Sequence, residues 1–214
     1  KKIEPLVHPL ASMAEMDQWS QKYIGQYFNS TEGRKLLIRA TFQQAKEDGV
    51  TVLEIGEDVW GLKEFFHNDI DELVESFTSA QREIAPEIEL RLQIGLSRHC
   101  PISYLEDCLS YFWGNKNFYS IDLYGDEFAQ PIENFKGIYQ RAKKEGLRLK
   151  AHVGEWGTAK DIRTAVEELE LDEVQHGIAA AGDESVIRFL AENKIRLNIT
   201  PTSNVLLGRV ADMA

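Results

Sequence analysis

The feature that most constrains the fold of this chain is an alternation of short apolar runs with longer amphipathic stretches. Six runs have the length and apolar content of strands, and no hairpin turn joins one run to the next. Such an alternation predicts parallel strands joined by right-handed crossovers. The six predicted strands are Thr51–Gly56, Glu89–Leu96, Tyr119–Tyr124, Leu147–Val153, Glu173–Ile178 and Ile195–Thr200.

Apolar residues at three- and four-residue steps predict helices between these strands and before the first of them. The segment 1–49 is predicted to be mainly helical, because Met13, Met16 and Trp19 begin such a stripe. No low-complexity linker divides the chain, so we expect residues 1–214 to form a single domain. The other predicted helices span residues 69–85, 104–113, 132–145, 159–168 and 184–192.

Two architectures fit this alternation, an open doubly wound sheet and a (β/α) barrel. An open nucleotide-binding sheet would carry a glycine-rich phosphate loop after its first strand, where this chain has the acidic run 54–58. A barrel instead gathers its catalytic groups at the carboxyl ends of several strands. We therefore predict a (β/α)8 TIM-type barrel, with about six of its eight strands in this chain. The polar strand ends are residues 125–127, 152–155, 176–177 and 202–204.

Three of these polar residues have the chemistry of a hydrolytic metal site. An imidazole such as that of His152 is a good zinc ligand, and a nearby carboxylate such as Glu155 can move protons to and from the attacking water. Side chains alternate along a strand, so the two can share a site only if the strand ends near Gly154 and the chain turns there. His176 ends the next strand and could bind the metal or hold the attacking hydroxide.

Charge and composition restrict the partners. The chain has 35 acidic and 24 basic residues, a formal charge of -11, which argues against nucleic acid or an anionic membrane surface as a partner. Its two cysteines, Cys100 and Cys108, form neither a disulfide framework nor a close thiolate pair. No apolar stretch approaches the roughly 20 residues of a membrane span, and the first residues lack a signal-peptide core. We expect a soluble, cytoplasmic protein.

Four strand-end motifs, taken in order, carry a family resemblance. They are Asp122-Leu123-Tyr124-Gly125-Asp126-Glu127, His152-Val153-Gly154-Glu155, His176-Gly177 and Pro201-Thr202-Ser203-Asn204. The set resembles the D-L-x-G-D-E, H-A-G-E, H-G and P-T-S-N elements of the adenosine deaminase family, one per successive strand. The resemblance covers residues 50–208, and the ordered set is much more specific than any single motif.

The resemblance implies a role for each candidate residue. His152 would be a zinc ligand, and Glu155 would protonate a purine ring nitrogen while water attacks the carbon that bears the amino group. His176 would orient and stabilise the attacking hydroxide, and the backbone at Gly125 would contact the purine. The implied reaction is zinc-dependent hydrolytic deamination of adenosine or a related aminopurine. The implied partner is a small purine nucleoside or base.

Two departures from the family pattern leave an alternative open. The family has an H-x-H pair on its first strand and an Asp-Asp pair on its last, and the chain shows neither. His8 precedes Pro9 and Leu10, so we interpret it as a surface or packing residue. We therefore expect the first and last barrel strands to be missing, which would leave open edges for self-association. The alternative function is a non-catalytic or inactive family-derived barrel fragment without a complete metal site.

The other charged and histidine residues suggest structural roles. Lys150 shares strand parity with His152, so it should face the barrel interior and need a partner there, for which Glu54 is the candidate. His67 and His99 lie in polar, loop-like surroundings and are expected to be exposed or structural.

Overall fold

The described part of the chain is built around six parallel strands. The computed structural model describes Leu10 and residues 12–212. The strands pair in sequential order from β1 to β6, and each neighbouring pair is parallel. This order never reverses, whereas a doubly wound sheet needs a reversal, so the open-sheet alternative is wrong. The strands are β1 (Val52–Asp58), β2 (Glu89–Ser97), β3 (Phe118–Tyr124), β4 (Arg148–Val153), β5 (Glu173–His176) and β6 (Arg196–Asn198).

A salt bridge across the inner face shows that the sheet is strongly curled. Nζ of Lys150 on β4 lies 2.6 Å from Oε1 of Glu54 on β1. Neighbouring strands are about 4.8 Å apart, so β1 and β4 would be separated by about 14 Å in a flat sheet. Contact between them requires a concave inner face. The fold is therefore part of a (β/α)8 barrel, as predicted, and the predicted pairing of Lys150 with Glu54 is confirmed.

Lys150 belongs to a buried polar layer inside the curl. Its side chain is 4% exposed, and Nζ also lies 3.6 Å from Oε2 of Glu173. Nδ2 of Asn198 on β6 donates to the same Glu173 oxygen at 3.0 Å. A buried ammonium group needs such partners because its desolvation would otherwise cost several kcal/mol. The layer thus joins β1, β4, β5 and β6 and directs alternate residues of these strands to the inside.

Amphipathic helices cover the outer face of the sheet. In α4, the buried residues Leu73, Val74, Phe77 and Ala80 recur at helical spacing. No helix among the residues that the structure describes is long and apolar enough to cross a membrane. The helices are α1 (Met13–Tyr23), α2 (Thr31–Glu47), α3 (Val59–Phe66), α4 (Ile70–Ile84), α5 (Ile102–Leu109), α6 (Lys136–Glu145), α7 (Ala159–Leu169), α8 (Glu184–Glu192) and α9 (Pro201–Leu206).

The structure departs from the predicted elements at several ends. The sequence pattern missed α3, which follows β1 without a loop, and α9, in which the predicted strand-end residues 202–204 lie just beyond β6. Pro201 occupies the first helical turn, where its missing N–H costs nothing. The predicted strand 173–178 ends two residues early, because His176 adopts a left-handed backbone conformation, with φ of 65°.

Two further histidines, His67 and His99, lie outside the inner face. His67 ends α3 and His99 follows β2, and both are exposed, as predicted. His8, interpreted from sequence as a surface or packing residue, lies outside the described residues.

Candidate active site

The loop after β4 brings Glu155 back over the barrel mouth. Gly154 has φ of +74°, a conformation that favours glycine, and an added Cβ would lie 2.4 Å from Cδ1 of Ile162. The chain therefore turns at Gly154, as predicted. Without this turn, strand alternation would direct Glu155 to the face opposite that of His152.

The structure brings together three of the four predicted site residues. The ring centroids of His152 and His176 are 5.3 Å apart. Nδ1 of His176 lies 3.4 Å from Oε1 of Glu155, and these two residues are only 7% and 8% exposed. Two imidazoles and a carboxyl group thus share one largely buried space at the carboxyl ends of β4 and β5.

His152 is oriented by a buried carboxylate. Its Nδ1 lies 3.3 Å from Oδ1 of Asp122, which is 2% exposed. Oδ2 of Asp122 accepts hydrogen bonds from Gln93 and Gln175, each at 3.3 Å. Burial lowers the pKa of His152, but the nearby charge of Asp122 and the hydrogen bond to it outweigh burial, so this pKa lies above its ordinary value. The arrangement leaves Nε2 of His152 as the ring nitrogen for a ligand.

His176 is held as a neutral imidazole. Nδ2 of Asn204 donates to its Nδ1 at 3.1 Å, and Oγ1 of Thr200 lies 3.1 Å from the same nitrogen. Burial, and then the charge of His152, lower the pKa of His176 to about 4. With Nδ1 accepting from Asn204, this network assigns the ring proton to Nε2. His176 also has a positive φ, of 65°. This backbone conformation is costly for a residue other than glycine, and it occurs often at functional sites.

Glu155 has the surroundings of a proton-bearing acid. Burial raises the pKa of its carboxyl group. Nδ2 of Asn204 lies 3.5 Å from Oε1, and Nε of Arg209 donates to its main-chain oxygen at 2.8 Å. Asn204, which is 1% exposed, therefore contacts both His176 and Glu155. From its P-T-S-N motif, Asn204 was predicted with Ser203 to brace the rim rather than to contact the substrate, but its two partners were not identified.

Gly125 lies at the same end of the sheet, on the loop after β3. Its φ is +99°, and an added Cβ would lie 3.1 Å from Nδ1 of His99. Two residues later, Glu127 accepts hydrogen bonds from the loop that carries Glu155. Gly125 therefore belongs to a loop that is hydrogen-bonded to the loop of Glu155, and its contact with a purine remains a prediction.

A second rim contact crosses β2. The hydroxyl of Tyr124 donates to Oδ2 of Asp58, while Oδ1 of Asp58 accepts from the main-chain N–H of Trp60 at 3.0 Å. The Tyr124 ring reaches Asp58 over Gly95, which has no side chain in the way. A Cβ atom at position 95 would lie 3.2 Å from Cα of Asp58 and 3.2 Å from Cε1 of Tyr124. The ring centroids of Tyr124 and His152 are 6.2 Å apart. This bridge therefore fixes the wall of the mouth next to His152.

Asp58 should make the stability of the fold depend on pH. Burial raises the pKa of Asp58 from 3.8 to about 7. The unfolded chain then loses this proton near pH 4 and the folded chain near pH 7, so rising pH favours the unfolded state across that window. We expect Asp58→Asn, which keeps the helix cap, to become relatively more stable than the natural protein by up to about 4 kcal/mol between pH 4 and pH 7. Urea unfolding of both proteins at several pH values measures this difference, and parallel curves would contradict it.

The described residues do not by themselves form a metal site. In the chain from 12 to 212, no group of three or more His, Cys, Asp or Glu side chains is arranged to hold a metal ion. A zinc site generally uses three or four protein ligands. The chemistry of His152 nevertheless fits one such ligand, because a metal-binding histidine normally has its other ring nitrogen against a carboxylate, here that of Asp122.

The fold and the site define the class of the protein. A curled parallel sheet with a buried histidine and carboxyl cluster at its strand ends is a (β/α)8-type barrel with its candidate site in the position usual for this fold. The model of the Adenosine deaminase family matches residues 3–214. The chain belongs to the adenosine deaminase family.

Individual relatives agree with this assignment. A Treponema pallidum protein provisionally named adenosine/adenine deaminase is 38% identical over 174 residues, with coverage of 81% of this chain and 58% of the relative. An adenine deaminase of Rhodopseudomonas palustris is 29% identical over 208 residues, with coverage of 91% and 59%. The chain thus spans somewhat under two thirds of the length of the curated relatives that it matches.

Solved structures support the fold. The adenine deaminase of Arthrobacter aurescens superposes with a TM-score of 0.78 at 22% identity, with coverage of 95% of this chain and 63% of the other. An amidohydrolase of Burkholderia ambifaria, crystallised with bound Zn, gives a TM-score of 0.72 at 21% identity, with coverage of 84% and 51%. Both solved structures have longer chains, and their similarity to this chain is in the barrel fold.

Proposed function

We propose that the protein catalyses the hydrolytic removal of ammonia from an aminopurine, adenosine or a related base or nucleoside, with zinc as its metal. The observation that carries the proposal is the buried cluster of His152, Glu155 and His176 at the strand ends of a family member. Relatives named adenine deaminase support the reaction class, and a structural neighbour with bound Zn supports the metal. The alternative of a non-catalytic fragment is not favoured by these names.

Glu155 is the proposed proton donor to the purine. Burial raises its pKa, so the carboxyl group keeps its proton to higher pH than an exposed glutamate does and can deliver that proton to a ring nitrogen. Protonation of the ring makes the neighbouring carbon, which bears the amino group, a better electrophile. Water adds to this carbon and ammonia leaves, so that a C–O bond replaces a C–N bond.

His176 is the proposed partner of the attacking water. As a neutral imidazole with its proton on Nε2, it can orient the water oxygen by donating a hydrogen bond. The backbone of Gly125 is proposed to contact the purine, because a glycine lets the ring approach the main chain closely.

His152 is the proposed zinc ligand among the described residues. When bound, zinc would lower the pKa of a coordinated water and so supply a nucleophile at neutral pH. The other ligands would have to come from outside the described residues, which do not complete a zinc site.

The free Cys100 and Cys108 fit a reducing compartment, so we propose the cytoplasm. Self-association through the outer edges of β1 and β6 remains a prediction.

Ammonia release from adenine and from adenosine tests the proposal. The full-length protein, purified with its metal, should release ammonia from at least one of them and contain close to one zinc per chain by elemental analysis. Removal of the metal with a chelator should stop the reaction, and added zinc should restore it. A full-length protein that binds no divalent metal and releases no ammonia from either compound would show the proposal to be wrong.

A further inference from the structure

A buried carboxylate, Glu127, holds the loop that carries Glu155. Glu127 is 6% exposed and lies on the loop after β3. Its two oxygens accept three successive main-chain N–H groups, from Gly154 at 2.7 Å, Glu155 at 2.9 Å and Trp156 at 2.8 Å. An ionised carboxylate only accepts hydrogen bonds, so it is well suited to three donors that point at one place.

The three donors are there because the chain turns sharply at Gly154. After β4 ends at Val153, the N–H groups of the next residues have left the sheet and need other partners. Glu127 supplies them, and the turn then directs the Glu155 side chain toward Nδ1 of His176, 3.4 Å away. The position of Glu155 therefore depends on a residue that does not itself belong to the cluster.

The loop that carries Glu127 is anchored at its far end, at Gln130. Nε of Arg98 donates to the main-chain oxygen of Gln130 at 2.9 Å, and Nε2 of Gln130 donates back to the main-chain oxygen of Arg98 at 2.7 Å. The same Gln130 nitrogen donates to the main-chain oxygen of Cys100 at 2.8 Å. These contacts fasten the end of the Gly125–Gln130 loop to the residues after β2, and so restrict the loop from which Glu127 holds Glu155.

We propose that Glu127 is a positioning residue for the deamination, which fixes the loop 154–156 so that Glu155 meets the substrate. This inference rests on the proposed function, because it assigns Glu127 a place in that reaction. The negative charge of Glu127 also favours this role. Burial raises the pKa of Glu155, and the nearby charge of Glu127 raises this pKa as well. Glu127 thus holds the acid in place and helps it to keep its proton.

The variant Glu127→Gln in the full-length protein tests the inference. One oxygen becomes an NH2 group, which cannot accept from a main-chain N–H, so the loop loses part of its support. We expect kcat to fall by about 10²-fold, as for other small misplacements of a catalytic group. KM and zinc content should stay close to those of the natural protein. The amide protons of Gly154, Glu155 and Trp156 should exchange faster with solvent.

Two further variants make the result specific. Glu133→Gln removes an exposed carboxylate from the short 3-10 helix Ile132–Phe135 that follows this loop, and it should leave kcat unchanged. Glu127→Asp keeps the charge on a shorter side chain and should have a kcat between those of the natural protein and Glu127→Gln. If Glu127→Gln does not fold, Glu127→Asp carries the test by the same split between kcat and KM.

The outcomes separate this inference from the proposed function. A natural protein without ammonia release overturns both. An active natural protein whose folded Glu127 variants keep their kcat overturns the role of Glu127 alone. A fall in kcat with matching losses of substrate affinity, zinc and thermal stability also overturns it, because Glu127 would then support the fold as a whole.

Discussion

The variant Glu155→Gln should lose turnover while it keeps its fold and its metal. Glutamine has the shape of glutamic acid and can still accept from Nδ2 of Asn204, but it has no acidic proton to give to the purine. General acid catalysis contributes typically about 10²–10⁴-fold, so we expect kcat for the aminopurine to fall by about 10³-fold. Steady-state ammonia release, zinc analysis and the thermal midpoint of the full-length variant measure these three properties.

Glu106→Gln is the matched control for this experiment. Glu106 is an exposed carboxylate on α5, so the same chemical change there should leave kcat, zinc content and stability unaltered. Full activity in Glu155→Gln would show that another group delivers the proton, and the role proposed for Glu155 would have to be abandoned.

The variant His152→Ala should lose both the metal and the reaction. Removal of a group that only orients a metal ligand costs about 10–100-fold in metal affinity. Loss of a ligand itself should therefore cost more than that, so we expect little zinc in the purified variant and no measurable ammonia release. Zinc titration followed by calorimetry measures the affinity directly and does not depend on turnover.

His67→Asn is a suitable control for the histidine variant. His67 is exposed and has φ of 51°, and asparagine tolerates this left-handed conformation better than alanine does. This variant should bind zinc and turn over substrate like the natural protein. If His152→Ala bound zinc as tightly as the control, His152 would not be a ligand, and Asp122 would then orient it for some other purpose.

The barrel could be predicted largely from sequence because its signals are local. Strand and helix periodicities are visible within a few turns of chain, and their alternation restricts the topology to parallel pairing. Strand parity also predicted that Lys150 faces Glu54, since alternate residues of each strand face the same side. The early end of β5 could not be predicted, because the left-handed conformation of His176 has no signal in the local pattern of residue types.

Only part of the candidate site could be predicted from sequence. The turn at Gly154 follows from the need to bring His152 and Glu155 to one side, so it could be predicted from sequence. The contact of Asn204 with His176 joins residues 28 positions apart, and no periodicity reports such a pair. The role of Glu127 beneath the Glu155 loop was hidden for the same reason, since it depends on the positions of three main-chain N–H groups.

The sequence by itself determined the alternating elements, their parallel order and the identity of the polar groups at the strand ends. These properties depend on residue types within short segments, and the order of elements along the chain is fixed by covalent connection. Only the tertiary structure decided how strongly the sheet curls, which carboxylate holds which loop, and which nitrogen of His176 accepts a hydrogen bond. These depend on contacts between distant residues, where small differences in distance decide whether hydrogen-bonding and charged groups meet.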